Sequence, residues 1–263
     1  MPEPLYAPDG DRFVPSAHTR GPWDAGAQHG GPVAALMARA MEALPSDAPM
    51  RVVRFTAEIL RPVTLQPLRT TARIERAGRR VALLSASLSD GERELCRASA
   101  WRIRVREQDI DAPAPSPLPF AGPDGGDVFP PESDHPAFHR TGVELRFVHG
   151  TFFDVGPSTV WIRLRRPVVG DETPSPLMRA AAASDFGNGI AAAVPWGRFI
   201  YINADLTVYL HRYPAGEWVC LDASSRVEPA GLGLAESELF DEHGRIGRSL
   251  QALLVDTLPG SEH

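Results

Sequence analysis

Hydrophobic positions along the chain fall into two series with the same order of predicted elements. The first series opens with GAQHGGPVAALMARAMEAL, in which apolar residues recur at the spacing of one helix face: Val33, Leu36, Met37, Ala40 and Leu44. The next segment, MRVVRFTAEILRP, alternates apolar and polar residues, which predicts a strand. We expect its apolar face to consist of Val53, Phe55, Ala57 and Ile59. Three further strands are predicted in LRTTARIERAG, RRVALLSASLSDG and ELCRASAWRIRV.

The second series repeats this order. TPSPLMRAAAASDFGNGIAAA predicts an alanine-rich helix that ends at its glycines. RFIYINADLTVYLHRYP predicts a long strand that ends in Arg212 and Pro214, as the first ends in Arg61 and Pro62. EWVCLDASSRVEP, GLGLAESELFDEHG and IGRSLQALLVD complete the set. One helix followed by antiparallel strands, twice, predicts an α+β fold in which each helix packs on its own sheet.

A proline-rich stretch separates the two series and sets the predicted domain limits. Prolines deny a strand its ladder donors, so this stretch is expected to be a linker. We therefore predict a first repeat over residues 1–106, a linker over 107–140 and a second repeat over 141–263. A strand pair, VELRFVHGTFF and STVWIRLRRPV, opens the second repeat, and its counterpart is expected near Arg12 to Trp23.

Composition narrows the class of protein. A net charge of −6 argues against a general nucleic-acid binder, and all the positive charge is arginine. Cys96 and Cys220 lie in apolar strand-like segments without metal-ligand spacing, which predicts buried free thiols and no metal site. The N-terminus lacks a secretory signal, and no apolar stretch approaches the roughly 20 residues needed for a membrane span, so a cytoplasmic protein is expected.

The order of elements resembles the duplicated hotdog fold of the acyl-CoA thioesterase II (TesB-like) family. The resemblance covers roughly residues 26–106 and 143–256, and four segments carry it: AQHGGPVAALMARA, AAASDFG, NADLTVYLHR and IGRSLQALLV. It implies a double hotdog, in which a central helix is wrapped by an antiparallel sheet in each half. The two halves are then expected to pair with continuous or nearly continuous sheets.

The resemblance also implies catalytic residues in the second half. In the family an Asp, a Thr or Ser and a Gln hold and activate the water that attacks the thioester. Asp185 matches the Asp and Gln251 the Gln, while the hydroxyl position falls on Asn203, which departs from the family pattern. Thr207 could supply the hydroxyl only in a different strand register.

Each of these residues has a structural alternative. Asp185 could cap a helix that begins at Phe186, and Gln251 could satisfy a buried polar contact. Asn203 could line a solvated face of the sheet.

Backbone amides near glycines are candidates for the oxyanion hole, because unpaired N–H groups at a helix start bind anions. The candidate amides belong to Gly30, Gly31, Phe186, Gly187 and Asn188. His29 could act as a base, as in hydratases of this fold. No acid lies at a matching offset, however, so a structural role is favoured for it.

The function that follows is hydrolysis of an acyl-CoA or acyl-carrier thioester by an Asp-activated water. Coenzyme A would be part of the substrate, and no separate cofactor is expected, since no P-loop or dinucleotide pattern occurs. The absence of a G-x-S-x-G pattern argues against an α/β-hydrolase thioesterase. A non-catalytic acyl-binding hotdog and an acyl-CoA hydratase or dehydratase remain as alternatives. Further association into a homo-oligomer is compatible with the fold.

Overall fold

The computed structural model describes residues 2–111, 116–129 and 135–258, and most of its strands form one large sheet. Its helices are α1 (Gly30–Glu42), α2 (Pro176–Ser184) and α3 (Gly187–Ile190). The strands of the first half are β1 (Tyr6–Asp9), β2 (Arg12–Pro15), β3 (Met50–Ile59), β4 (Arg69–Arg76), β5 (Val81–Ser89) and β6 (Glu94–Arg104). Those that follow are β7 (Asp127–Phe129), β8 (Val143–His149), β9 (Ser158–Leu164), β10 (Phe199–Asn203), β11 (Asp205–Leu210), β12 (Val219–Val227), β13 (Leu232–Asp241) and β14 (Gly244–Thr257).

The sheet runs through both halves without interruption. Its order is β4-β5-β6-β3-β11-β14-β13-β12-β9-β8-β7, and β10 pairs with β14 beyond the end of β11. Every pairing in it is antiparallel. Helix α1 contacts β4 and β5, while α2 and α3 contact β12 and β13. The predicted α+β double hotdog, with halves joined by a continuous sheet, is confirmed.

A shift of 151 residues relates the two halves. It carries the pairs Thr56↔Ser99 and Ser85↔Ser99 onto Thr207↔Leu250 and Glu236↔Leu250. Thr56 and Thr207 are themselves equivalent, and they face each other where β3 pairs with β11. Their hydroxyls are 3.2 Å apart. A pseudo-twofold axis therefore passes between these two threonines.

The same axis passes between the helices. Gly31 is equivalent to Ala182, and a Cβ on Gly31 would lie 2.7 Å from the Ala182 carbonyl oxygen. Only glycine lets the backbones approach so closely, because any other residue would clash with that oxygen. The start of α1 thus packs against the end of α2, which brings the two halves together on the inner side of the sheet.

The long strand of each half contains an irregularity at an equivalent position. In β3 the register shifts between Val52 and Arg54, so Val52, rather than the expected Val53, is buried on the face of Phe55 and Ala57. In the second half the predicted single strand is divided at Ala204 into β10 and β11. Their registers with β14 differ by one residue. A one-residue shift in register exchanges the two faces of a strand. If the alternation of β11 is continued back past Ala204, each residue of β10 therefore points to the opposite face of the sheet.

The segments at the domain limits differ in part from expectation. β1 and β2 form a separate two-stranded sheet that begins before the expected Arg12 to Trp23 stretch. Part of the proline-rich stretch packs on the second half, since the indole N–H of Trp161 donates to the Ala121 carbonyl and β7 pairs with β8. Residues 112–115 and 130–134 of that stretch lie outside the described residues. The limits of the three predicted segments stay a prediction.

Candidate active site

A cavity of about 610 Å³ opens where the two halves meet. Its walls come from the loop before α1, the end of β3, the turn between α2 and α3, and β10. Most of the lining is apolar and aromatic, with Trp23, Val33, Phe152, Phe186, Trp196 and Leu254 among its members. Such a slot is suited to an organic ligand that is oriented by a few polar groups.

Asp185 is the buried acid of this cavity, with 4% of its side chain exposed. It lies at the C-terminal cap of α2, so it is not the N-cap of a helix that starts at Phe186. Its Oδ1 accepts a 2.9 Å hydrogen bond from the Asn203 side-chain amide. Its Oδ2 lies 2.7 Å from Nδ1 of His29. The carboxylate is therefore held by one residue from each half of the chain.

His29, for which sequence reasoning found no acid partner, has one in the structure. Its Nδ1 lies 2.7 Å from the Asp185 carboxylate and 3.1 Å from the amide nitrogen of Gly31, which would donate to it. The nitrogen cannot donate to one and accept from the other at once. Because an ionised carboxylate only accepts, the shorter contact assigns the ring proton to Nδ1. The other ring nitrogen, Nε2, then carries the lone pair, and His29 lines the cavity.

The acid partner of His29 could not be found by local spacing. Asp185 lies on the other half of the chain, and only the packing of α1 against α2 joins them. The position of His29 directly before the glycines of α1 was the one available signal. Which residue this helix start faces depends on the packing of α1 against α2 and on no local pattern.

Asn203 reaches the acid because the strand is interrupted at Ala204. The register shift turns Asn203 to the inner side of the sheet, where its amide donates to Asp185 and, at 3.3 Å, to the Asp205 carbonyl. It does not line a solvated sheet face. Thr207, beyond the shift, lies on the outer side against Thr56 and is not part of the cavity wall.

Gln251 lies behind the acid, with 2% exposure, and does not line the cavity. Its Oε1 accepts the Asn188 amide at 3.0 Å, and its Nε2 donates to the Asp185 backbone carbonyl at 3.3 Å. Both ends of the amide are thus bound to the backbone, and a contact of Gln251 with the attacking water stays a prediction. Gln251 holds the turn that carries Asp185.

The glycines at this junction are required mainly by close packing. A Cβ on Gly30 would lie 2.6 Å from Asp185 Oδ1, and one on Gly187 would lie 2.8 Å from Gln251 Oε1. Gly30 lines the cavity, whereas Gly31 and Gly187 do not. Gly30 also begins α1, so the positive end of that helix dipole faces the Asp185 carboxylate and stabilises its charge.

Among the candidate oxyanion amides, two already have acceptors. The amide of Phe186 donates to the Ala183 carbonyl and that of Asn188 to Gln251. The Gly31 amide faces the protonated Nδ1 of His29 and does not line the cavity. The Gly30 amide is the first of its helix and has no intrahelical acceptor. It is therefore the cavity-lining amide best placed to bind a ligand oxygen.

Two further titratable groups bear on the chemistry of the site. Burial lowers the pKa of His139, on the cavity wall, to about 4, with the neighbouring His29 and Arg140 adding to the effect. Burial raises the pKa of the Cys96 thiol to about 12, and both cysteines are free and buried as predicted. A thiol so protonated is inert as a nucleophile.

Neither a metal site nor a membrane-spanning helix is found in the described part of the chain. Over residues 2–111, 116–129 and 135–258, no three His, Cys, Asp or Glu side chains are grouped so as to hold a metal ion. Within the same ranges no helix is long and apolar enough to cross a bilayer.

Solved structures with this architecture extend over nearly the whole chain. A protein of unknown function with a hot dog fold from Alicyclobacillus acidocaldarius superposes with a TM-score of 0.73 at 16% identity, covering 95% of both chains. Acyl-CoA thioesterase II TesB2 from Mycobacterium marinum gives 0.67 at 17% identity, covering 99% of this chain and 96% of that one. A tesB protein of Mycobacterium avium subspecies paratuberculosis gives 0.62 at 18%, covering 93% of each. At these identities the likeness shows the fold.

Family models identify the sequence more closely. The model of the acyl-CoA thioesterase N-terminal domain matches residues 19–103, and that of the acyl-CoA thioesterase C-terminal domain matches residues 112–255. No curated protein sequence matches the chain. Because the two models together span most of the sequence, the chain belongs to the acyl-CoA thioesterase family.

Proposed function

We propose that this protein hydrolyses the thioester of an acyl-CoA, giving the free acid and coenzyme A. The observation that carries the proposal is the buried Asp185 carboxylate, held between His29 and Asn203 beside an apolar cavity. Membership of the family supports the reaction class. The acyl chain would occupy the apolar part of the cavity, with the thioester carbonyl near the polar groups.

The chemistry requires a base for the attacking water. Both Asp185 oxygens already have partners, and a His29 ring that donates from Nδ1 to this carboxylate keeps a lone pair on Nε2 that can accept a proton. The Asp185–His29 pair would take the proton of the water, with Asp185 orienting the ring and stabilising the imidazolium that forms, as in other acid–histidine pairs. Asn203 would keep the carboxylate in place.

Bond changes then follow the usual course of acyl transfer. The water oxygen forms a bond to the thioester carbon while its proton passes to the Asp185–His29 pair. The Gly30 amide is the candidate donor to the oxyanion that develops. When the intermediate collapses, the carbon–sulfur bond breaks, and the leaving thiolate of coenzyme A takes the proton that the His29 imidazolium holds.

A second candidate function is hydration of an enoyl thioester. It is favoured by one observation, the direct contact of His29 with Asp185 on the cavity wall. The same pair could position a water against a carbon–carbon double bond. This reaction consumes the enoyl absorbance without releasing a thiol, so the two functions give different signals.

The test is thiol release from acyl-CoAs of increasing chain length, run beside loss of the enoyl absorbance with a 2-enoyl-CoA. We expect thiol release by the wild-type protein and a fall of about 10³-fold in kcat for Asp185→Asn and for His29→Gln. Asp222→Asn, an exposed residue of β12, is the matched control and should keep full activity.

Each contrary result has a distinct meaning. Loss of the enoyl absorbance without thiol release would replace the thioesterase by the hydratase. No reaction with any substrate would favour a non-catalytic acyl-binding protein. Full activity of Asp185→Asn would show that the site lies elsewhere.

A further inference from the structure

Two arginines occupy equivalent places in the halves but have different surroundings. Arg61 and Arg212 are related by the shift of 151 residues, and each follows the long strand of its half. Equivalent residues that keep the same role should keep the same partners. Their partners therefore show whether both serve the fold.

Arg212 has a structural partner. Its guanidinium binds both carboxylate oxygens of Asp241, which is fully buried, and also donates to the Gly244 carbonyl at 3.1 Å. Burial alone would raise the pKa of Asp241, but hydrogen bonds from Arg212 and from the Ala215 and His243 amides outweigh it and hold the pKa below its usual value. This bidentate pair anchors the end of β11.

Arg61 lacks that anchor. The residue equivalent to Asp241 is Asp90, whose carboxylate accepts the amides of Glu92 and Arg93 in its own turn at 2.9 and 2.8 Å. In the described part of the chain, no carboxylate forms an ion pair with Arg61. The side chain is exposed, and it lines the cavity beside Leu60 and Pro62.

The backbone at Arg61 is nevertheless fixed, since its amide donates to the Leu95 carbonyl at 3.1 Å. The guanidinium is thus presented at the cavity from a rigid strand end. Asp24, another charged residue of the lining, is engaged with the Gly26 amide at 2.7 Å. An unpaired arginine at a cavity rim in a chain of net charge −6 is a site for an anion.

We infer that Arg61 binds a phosphate of the coenzyme A carrier at the rim of the cavity. The inference rests on the proposed function, which places the acyl chain in the apolar interior and so leaves the charged end of the substrate toward solvent. A carboxylate on the acyl group would offer Arg61 similar chemistry, but it would have to enter the apolar slot. The exposed position of Arg61 therefore favours the phosphate.

The test compares Arg61→Gln with wild type on two thioesters of one acyl group, the CoA ester and the N-acetylcysteamine ester, which has no phosphate. We expect kcat/KM for the CoA ester to fall about tenfold or more, mainly through KM, while the N-acetylcysteamine ester is unaffected. Arg76→Gln is the matched control, since Arg76 is an exposed arginine of β4 that does not line this cavity. It should leave both substrates unchanged.

Several results would overturn the inference. An equal loss on both esters would mean that Arg61 only supports the fold. A loss confined to CoA esters of dicarboxylic acids would assign it to the acyl group. If wild type hydrolyses neither ester, the proposed function fails, and binding of free coenzyme A against pantetheine decides about Arg61: a tenfold weaker affinity of Arg61→Gln for coenzyme A alone supports the phosphate site, and equal affinities reject it.

Discussion

The pseudo-twofold axis relates two clusters of three residues, one in each half, and one cluster is polar while the other is apolar. Asp185, Asn203 and Gln251 form the polar cluster beside the cavity, whereas their equivalents in the first half are Ala34, Val52 and Ala100. All three apolar residues are buried. The same irregularity of the long strand occurs in both places, so the backbone alone does not explain the difference.

The difference shows what a buried carboxylate requires. Asp185 has His29, Asn203 and the start of α1 around it. The residues equivalent to His29 and Gly30 are Ala180 and Ala181, which offer no donor side chain and no open space. An acid at Ala34 would therefore be buried without partners, which is strongly unfavourable. One fold thus supports one polar site and one apolar core.

The largest effect is expected where the halves differ in their arginine anchor. Asp241→Asn removes the charge that binds Arg212, and breaking such a buried pair should lower the free energy of unfolding by about 3 kcal/mol. Asp90→Asn, the equivalent change in an exposed turn, should cost less than about 0.5 kcal/mol. Urea denaturation of both variants measures the contrast. Equal losses would show that the two turns are held alike.

A smaller effect is expected at the start of α1. Gly30→Ala places a methyl group within 2.6 Å of the Asp185 carboxylate and must displace it. Displacement of a catalytic group by about 1 Å costs on the order of 10²-fold in rate, so kcat/KM for thiol release should fall by that amount. Ala181→Gly, at the equivalent position, should keep its activity and lose only about 1 kcal/mol of stability. Unchanged turnover in Gly30→Ala would mean that the contact has no role in catalysis.

Stability should also depend on pH through the cavity, because His139 on its wall is titratable. The equivalent cluster of Ala34, Val52 and Ala100 contains no titratable side chain. The pKa of His139 is about 4 in the folded protein and near its ordinary value of 6.5 when unfolded. The unfolded chain therefore binds more protons between these values, and stability falls as pH drops from about 6.5 to about 4. Between pH 7 and pH 5 the free energy of unfolding of His139→Gln should fall by about 2 kcal/mol less than that of wild type, as measured by denaturation at both pH values. An identical pH dependence of the two proteins would refute the assignment.

The smallest effect on stability is expected at the pseudo-twofold axis, between Thr56 and Thr207. Thr207→Val removes the hydroxyl contact with Thr56, which lies on the outer side of the sheet. Cross-strand pairs of this kind contribute about 0.2–1 kcal/mol, so stability should change by no more than that. Thiol release should be unchanged, because Thr207 does not line the cavity. A large loss of activity would show that Thr207 contributes to the reaction.

Much of the fold was predictable because the hydrophobic pattern repeats. The apolar stripe of α1 and the alternation of the strands each identify one buried face, and an arginine with a proline close behind it ends the long strand of both halves. Two side-chain orientations were not predictable: Val53 does not share the buried face of Phe55, and Asn203 points to the inner side of the sheet. Both follow from one-residue register shifts, which the alternation of apolar and polar residues does not reveal.

The site was predictable only in part, for a related reason. Asp185 and Asn203 were found through resemblance, and the structure brings them together. Gln251 was assigned to the water, and Thr207 was considered for the hydroxyl in another strand register. The surroundings of both residues depend on partners from other elements of the fold. The contact of His29 with Asp185 joins residues far apart in the sequence. No local pattern contains such a contact.

The two halves of the chain each supply one member of the Asp185–His29 pair, which has a consequence for how the protein could be dissected. A cut within the stretch between residues 107 and 135 would leave His29 on one fragment and Asp185 on the other. Neither fragment alone would contain the pair, because α1 and α2 each supply one member. Recovery of turnover on mixing the fragments would then report the docking of the halves, so that catalysis serves as a direct readout of assembly.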